Sequence, residues 1–328
     1  MNQSQARPWR SAPAAPRYAA IDIGSDTVHL VVADLSGSTA SGALRMVHSE
    51  SELVELGRVV GRRGRITVAA EAQVGRALER MVRRARKSGA VILIAATEAS
   101  RRASNGEEVL TRLGARVKVP IHLLSPTREA ELGFAGVRPE LPTRGDLAVI
   151  DSGGASTETT LTRGRTTVAA ASLPVGAALL ATGLSGDPPR PIDWALTAIQ
   201  IGATLGSLPE GHPRHAFATG GTAHGLLAVG SIRARRKPGS RVRITLDELE
   251  ATVALLLARP ARRIGTETGI DPRRVALLAP GALILGAILG HYRLADFDVL
   301  EAGVREGMIR AAAADPGGWW LDPAGPEA

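Results

Sequence analysis

Tyr18-Ala-Ala-Ile-Asp22-Ile-Gly24-Ser25-Asp26-Thr27-Val-His-Leu-Val-Val-Ala33 runs from an apolar stretch through an aspartate and a Gly/Ser turn into a second apolar stretch. Leu147-Ala-Val-Ile-Asp151-Ser-Gly153-Gly154-Ala155-Ser156-Thr157-Glu158, followed by Thr-Thr-Leu-Thr, repeats that pattern. Both read as a β-hairpin with a tight polar tip. A third strand is expected after each, at Leu44–Ser49 and Thr166–Ser172. A tip of Gly, Ser and Thr gathers backbone N–H groups into a concavity that accepts phosphate oxygens, and glycine lets the backbone approach closely. One such tip is ordinary in any hairpin. Two, each entered from a strand ending in aspartate, are far more specific. Alone, Asp22 or Asp151 would read as an Asx-turn residue. As a pair they project into one cleft and can hold Mg²⁺ directly or through water.

Outward from these hairpins the pattern turns helical. Val74, Ala77, Leu78, Met81, Val82 and Ala85 fall on one face of a helix that starts near Thr67. Val91–Ala96 and Pro120–Leu124 read as strands. Ser125-Pro126 reads as an N-cap with proline at the first helical position, opening a helix towards Phe134. Glu129, one turn in, is by itself a common helix-dipole glutamate. In the second half, Ala216–Thr219 reads as a strand closed by Gly220-Gly221-Thr222. Helices are expected at about Asp247–Ala258, where Thr245 and Glu248 have capping-box spacing, and at Arg273–Gly290. A strand at Asp298–Glu301 and a helix near Val304–Ala313 complete the pattern. Two hairpin-led α/β units imply two lobes with a cleft between them. Residues 17–138 form the first lobe, completed by the C-terminal helix at 302–314, and residues 139–301 form the second. The hinge is expected near Arg138–Gly145, residues 1–16 as a disordered leader, and 315–328 as a loose tail.

The 328-residue length suits two cores of roughly 150 residues each. With 3% aromatic residues, stacking platforms for single-stranded nucleic acid are not expected, and no specific nucleic-acid partner is assigned. The net charge is +8, with lysine only at Lys87, Lys118 and Lys237. Arginine thus carries the basic charge, a balance that favours a polyanionic partner. Much of it also fits a GC-rich genome replacing Lys with Arg. The absence of cysteine excludes disulfides and thiolate nucleophiles. No run of 18 apolar residues is free of charge and turn signals, so the expectation is a cytoplasmic protein with no membrane partner. The basic run Arg233, Arg235, Arg236, Lys237, Arg241, Arg243 reads as a solvated loop or as a guide for a long polyanion. The seven histidines show no metal-ligand spacing.

Together, Tyr18–Ala33, Ala95–Asn105, Leu124–Val137, Val149–Glu158 and Ser172–Gly176 resemble the exopolyphosphatase / guanosine pentaphosphate phosphohydrolase (Ppx/GppA) family of the acetate kinase–Hsp70–actin superfamily. Ala218–Ala223, Ala279–Leu285 and Ala302–Gly307 extend the likeness to about Arg310. The family's catalytic glutamate precedes the glutamate of its Ser-Thr-Glu motif by 29 positions, the interval between Glu129 and Glu158. The resemblance implies two ribonuclease H-like (actin/Hsp70-type) lobes, each a mixed β-sheet flanked by helices, with the active site in the interlobe cleft. It implies Glu129 as the general base. Gly24, Ser25, Asp26, Thr27, Arg101, Gly153, Gly154, Ala155 and Ser156 would bind phosphate, and Asp22, Asp151 and Glu158 would hold Mg²⁺ or Mn²⁺.

Four residues depart from the family pattern. Asp26 stands where asparagine is usual, and its carboxylate would repel phosphate unless protonated or bound to metal. Arg128 replaces an acidic residue before Glu129, and a cation there would lower the pKa of Glu129. Ala155 replaces a glycine, where its methyl group would pinch the second loop, and Leu179 replaces an arginine. The activity implied is release of terminal phosphate from inorganic polyphosphate. The alternatives are a guanosine pentaphosphate 5′-phosphohydrolase, a weakly active or non-catalytic regulator that binds polyphosphate or (p)ppGpp, and a kinase of the same superfamily. Family members often pair as homodimers, which the resemblance puts forward as the assembly here.

Overall fold

The computed structural model describes residues 15–36, 42–234 and 243–322. The first lobe runs β1 (Arg17–Ile23), β2 (Thr27–Ser36), β3 (Ala43–Leu53), α1 (Leu56–Arg63), α2 (Val68–Lys87), β4 (Val91–Ala96), α3 (Glu98–Arg102), α4 (Gly106–Val117), β5 (His122–Leu123) and α5 (Pro126–Val137). The second runs β6 (Asp146–Ser152), β7 (Thr157–Arg163), β8 (Thr166–Leu173), α6 (Ala177–Ala181), α7 (Pro191–Thr204), β9 (His215–Thr219), α8 (Gly220–Ala234), β10 (Arg243–Thr245), α9 (Leu246–Ala258), α10 (Ala261–Thr268), α11 (Pro272–Tyr292) and β11 (Asp296–Val299). A last helix, α12 (Val304–Ala314), follows.

The two sheets share one topology. The first is ordered β3-β2-β1-β4-β5, and the second β8-β7-β6-β9-β11 with β10 added at the edge. In both, three antiparallel strands are followed by strands parallel to the first. Parallel neighbours bring the ends of β1, β4, β6 and β9 to the same side of their sheets, which is where α/β folds place ligands.

Burial follows the strand alternation. Ile21 and Ile23 face α2 and α4, and Val74, Ala77, Leu78, Met81, Val82 and Ala85 fill that layer as their spacing predicts. Ala20, Val31 and Leu93 point the other way, against Leu132 of α5 and Met308 and Ile309 of α12. The helix after β11 thus returns to the first lobe. α5 and α12 cross so closely that a Cβ on Gly136 or Gly307 would collide with the carbonyl of Gly303 or Leu132. Glycine at those two positions lets α5, the Glu129 helix, lie deep between the lobes. In the second lobe Ala148 and Ile150 face a core built around α11. Among the described residues α11 is the one helix long and apolar enough to cross a membrane, yet Val275, Leu278, Ile284, Leu285 and Ile288 are buried within the protein.

The structure departs from the sequence pattern in places. β5 is two residues long, and β11 lies two residues earlier than expected because it pairs with β9. The tail is not loose over its described part: Trp319 is 3% exposed and packs with Leu124 and Leu132, since an indole beside an apolar layer is better buried than solvated. Residues 1–14, 37–41, 235–242 and 323–328, and the side chain of Arg233, lie outside the described residues. With them go most of the expected leader and basic run. Arg243, which is described, faces Asp298 at 3.4 Å and Asp296 at 3.6 Å.

Candidate active site

Each hairpin tip closes on itself in the same way. Gly24 N–H donates to Thr27 O at 2.9 Å, and Gly153 N–H to Ser156 O at 3.0 Å. The next carbonyls are held from behind by the start of a short helix. Gly57 N–H of α1 donates to Ser25 O at 2.7 Å, while Val54 and Glu55 N–H donate to Asp26 O. Ala177 and Leu179 N–H of α6 donate to Gly153 O and Gly154 O, both at 2.9 Å. In a trans peptide the N–H points opposite the C=O. Anchoring these carbonyls therefore turns the amides of Asp26, Gly154 and Ala155 away from α1 and α6, and among the described residues they donate to no protein acceptor. These amides form a nest suited to an anion. Glu55 holds its part in a left-handed conformation, φ 49°, strain of the kind that collects at functional sites.

The two tips meet. An Asp26 carboxylate oxygen lies 2.5 Å from where a Cβ on Gly154 would stand, so glycine there lets the tips approach this closely with the Asp26 side chain in place. Burial pushes the Asp26 carboxyl up to about 6, with Glu55 raising it further and Arg274 opposing.

Carboxylates line the cleft beside the tips. Asp22 and Asp151 occupy matching positions near the ends of β1 and β6. Burial raises both, Asp22 to about 6; Arg305 opposes the rise at each, and the neighbouring Asp151 adds to the rise at Asp22. Asp22 Oδ1 is buried without a hydrogen-bond partner. Glu158 pairs across from Asp151 and accepts from Ser172 Oγ at 2.8 Å. Burial drives Glu129 and Glu158 upward, and each carboxyl sits near further acids: Glu158 and Asp22 for Glu129, Asp151 for Glu158. Arg101 Nη1 donates to Glu129 Oε2 and to Leu124 O, both at 2.7 Å, and Nη2 donates to Glu98 Oε2 at 2.8 Å. A small pocket opens here between Glu129, Asp151, Glu158, Phe134, Val149 and Val304.

The structure thus brings Asp22, Asp26, Arg101, Glu129, Asp151, Gly154 and Glu158 to one cleft. Arg101 differs from the expectation: its guanidinium is committed to Glu129, Glu98 and a carbonyl rather than held free for phosphate. Arg128 differs more. It turns to Trp319 O and Glu131, plays no part in the shift of Glu129, and leaves that carboxyl raised rather than lowered. Ala155 is buried against the protein, and Leu179 contributes a backbone N–H to the second loop. Sequence reading missed Arg305, Arg274, His29 and His224. His29 stands opposite Asp22 in the β1–β2 register, and burial with Arg305, Arg274 and His224 nearby holds it down to about 3. No local signal marks these four, because their charge partners come from distant elements.

Among the described residues, no three carboxylate or histidine side chains converge as a ready-made metal cage. The orphaned Asp22 oxygen and the carboxylates beside it still fit Mg²⁺ or Mn²⁺. Mg²⁺ favours hard oxygen donors, keeps several waters and takes one or two protein carboxylates.

The sequence profile of the Ppx/GppA phosphatase family matches residues 31–314. The chain belongs to this family. The match begins within β2, so the first tip of this Ppx/GppA phosphatase lies outside it. An uncharacterized protein of Streptomyces coelicolor is 31% identical over 327 residues, covering 93% of each chain. Exopolyphosphatase 1 of Mycobacterium leprae is 28% identical over 310 residues, covering 89% of this chain and 88% of its own. The crystal structure of an exopolyphosphatase from Cytophaga hutchinsonii superposes with a TM-score of 0.83 at 20% identity, over 90% of this chain and 97% of that one. That last likeness is one of fold: the two-lobed, actin-like α/β architecture.

Proposed function

We propose that this Ppx/GppA protein is an exopolyphosphatase that releases orthophosphate from the end of inorganic polyphosphate. The observation that carries the reading is the pair of amide cradles meeting at Asp26 and Gly154, with Glu129 in the same cleft. The relative named Exopolyphosphatase 1 and the +8 charge favour a long polyanion over a small phosphate compound.

The terminal phosphoryl group would rest on the amides of Asp26, Gly154 and Ala155, which stabilise charge on its equatorial oxygens as the bond to the leaving chain breaks. Glu129 would take the proton of the attacking water. Burial raises its carboxyl towards neutrality, which suits a base near physiological pH. The Arg101 ion pair holds that carboxylate in place and keeps part of it ionised. Mg²⁺, held by Asp22 and Asp151 with Glu158 close by, would neutralise phosphate charge. No covalent intermediate is required.

The test is orthophosphate release by the purified protein with Mg²⁺, on polyphosphate and on guanosine pentaphosphate, beside Glu129→Gln. We expect release from polyphosphate and a loss in the variant of about 10²–10⁴-fold, the usual worth of a general base. No release by the unmutated protein, or full activity in Glu129→Gln, would overturn the reading.

A further inference from the structure

The helix carrying Glu129 is held at its first turn by a segment that comes almost 200 residues later. Asp315 follows α12, and its Oδ1 accepts from Gly317 N–H at 3.1 Å and Gly318 N–H at 3.0 Å, turning the chain. Trp319 then enters the layer beneath the first sheet, beside Leu124, Leu132 and Met308. Its carbonyl accepts from Arg128 Nε at 3.0 Å and Nη2 at 2.7 Å, while Nη1 donates to Glu131 at 2.9 Å. Trp320 stacks on His122 with ring centres 3.7 Å apart and planes 16° from parallel. Ser125, the N-cap whose Oγ accepts from Arg128 N–H at 3.0 Å, donates its hydroxyl to Asp322. The stretch from His122 to Arg128 is therefore gripped at three points by residues 319–322, and Arg101 grips it again at Leu124 O and Glu129.

A first helical turn has few intrahelical bonds of its own and frays readily. Glu129 N–H makes one of the earliest in α5, to Ser125 O at 2.9 Å. Its carboxylate can act on a water only if that turn is fixed. We infer that residues 315–322 are a positioning strap for Glu129, with Arg128 and Trp320 as its positioning residues. The strap accounts for a cation beside the catalytic glutamate: the Arg128 guanidinium serves a carbonyl of the strap and not the reacting groups. The inference rests on the reading of Glu129 as general base.

The test compares Arg128→Ala, Trp320→Ala and the conservative Trp320→Phe with the unmutated chain. It measures kcat and KM for phosphate release, and hydrogen exchange of the amides of residues 127–130. Trp320 is only half-buried, so its variants should stay folded, which thermal melting verifies. Both alanine variants should lose about tenfold in kcat at unchanged KM, within the roughly 10²-fold that a 1 Å misplacement can cost. Exchange at the start of α5 should quicken in both, and Trp320→Phe should restore both readouts. Unchanged kcat, a raised KM with kcat intact, or unaltered exchange would each overturn the strap. If the unmutated protein releases no phosphate, the functional reading has failed, and the exchange measurement alone decides whether the strap holds α5.

Discussion

Asp26 is placed where it should cost the protein phosphate affinity, and Asp26→Asn should recover it. Its carboxylate lies against Gly154, whose amide belongs to the proposed phosphate cradle. At about 4 Å and an effective dielectric of about 20, each pair of unit charges would repel by about 4 kcal/mol. A cheaper route exists, because Asp26 titrates at about 6. Taking up a proton at about pH 7.5 costs roughly 2 kcal/mol, at about 1.4 kcal/mol per pH unit. The smaller of the two sets the penalty, so the variant should lower KM by up to about 30-fold at about pH 7.5 and by little near pH 5.5. An independent readout follows from the same burial. The folded carboxyl titrates above its ordinary range, so the native state loses stability as pH rises from about 4 through about 6. Asp26→Asn removes that loss, and its Tm should exceed that of the unmutated protein at neutral pH and converge with it in acid. The assay is orthophosphate release from short polyphosphate across pH with saturating Mg²⁺, beside melting curves. An unchanged or higher KM at neutral pH, a gain that persists undiminished near pH 5.5, or a raised Mg²⁺ requirement would refute the reasoning.

The loops, the base and the frame around them can each be tested as well. A Cβ on Gly176 would collide with the second loop's backbone at Gly154 and Ala155, whereas one on Gly57 would meet the Ser25 Cβ at 2.9 Å. Gly176→Ala should therefore cut kcat/KM by about 10²-fold or more and Gly57→Ala by clearly less, as phosphate release by the two variants will show. Arg101 opposes the upward shift of Glu129, so Arg101→Gln should move the acidic limb of the pH–kcat profile to higher pH; a limb that stays put or moves down would count against the ion pair. Thr245 and Glu248 form a capping box far from the cleft, so Thr245→Ala should lose about 1 kcal/mol in urea unfolding while kcat stays unchanged.

Much of the frame was legible because local chemistry and tertiary environment agree. The hairpin tips stand between apolar runs, Ser125-Pro126 does start α5, and the α2 stripe is buried as spaced. Where they disagree, periodicity misleads. In α7 the side chains of Asp193 and Thr197 are buried while Ile192, Leu196 and Ile199 are exposed, against an amphipathic pattern that only Ile201 follows among these six. α8 begins at Gly220-Gly221-Thr222, which reads as the stop after a strand, and its apolar residues favour no one face.

The site divides along the same line. Its cradles are local, since each is a turn whose carbonyls are tied to a helix a few dozen residues later at most, and glycines mark both. Its charges are not. Arg305 reaches Asp22 and Asp151 from α12, Arg274 reaches Asp26 from α11, and Arg128 finds its acceptor 191 residues away. A sequence shows which groups can ionise but not which of them will be neighbours. A cation beside Glu129 therefore suggests a lowered pKa until the fold turns that cation to a carbonyl. What then governs Glu129 is burial and the carboxylates around it, two quantities that exist only once both lobes have closed on the cleft.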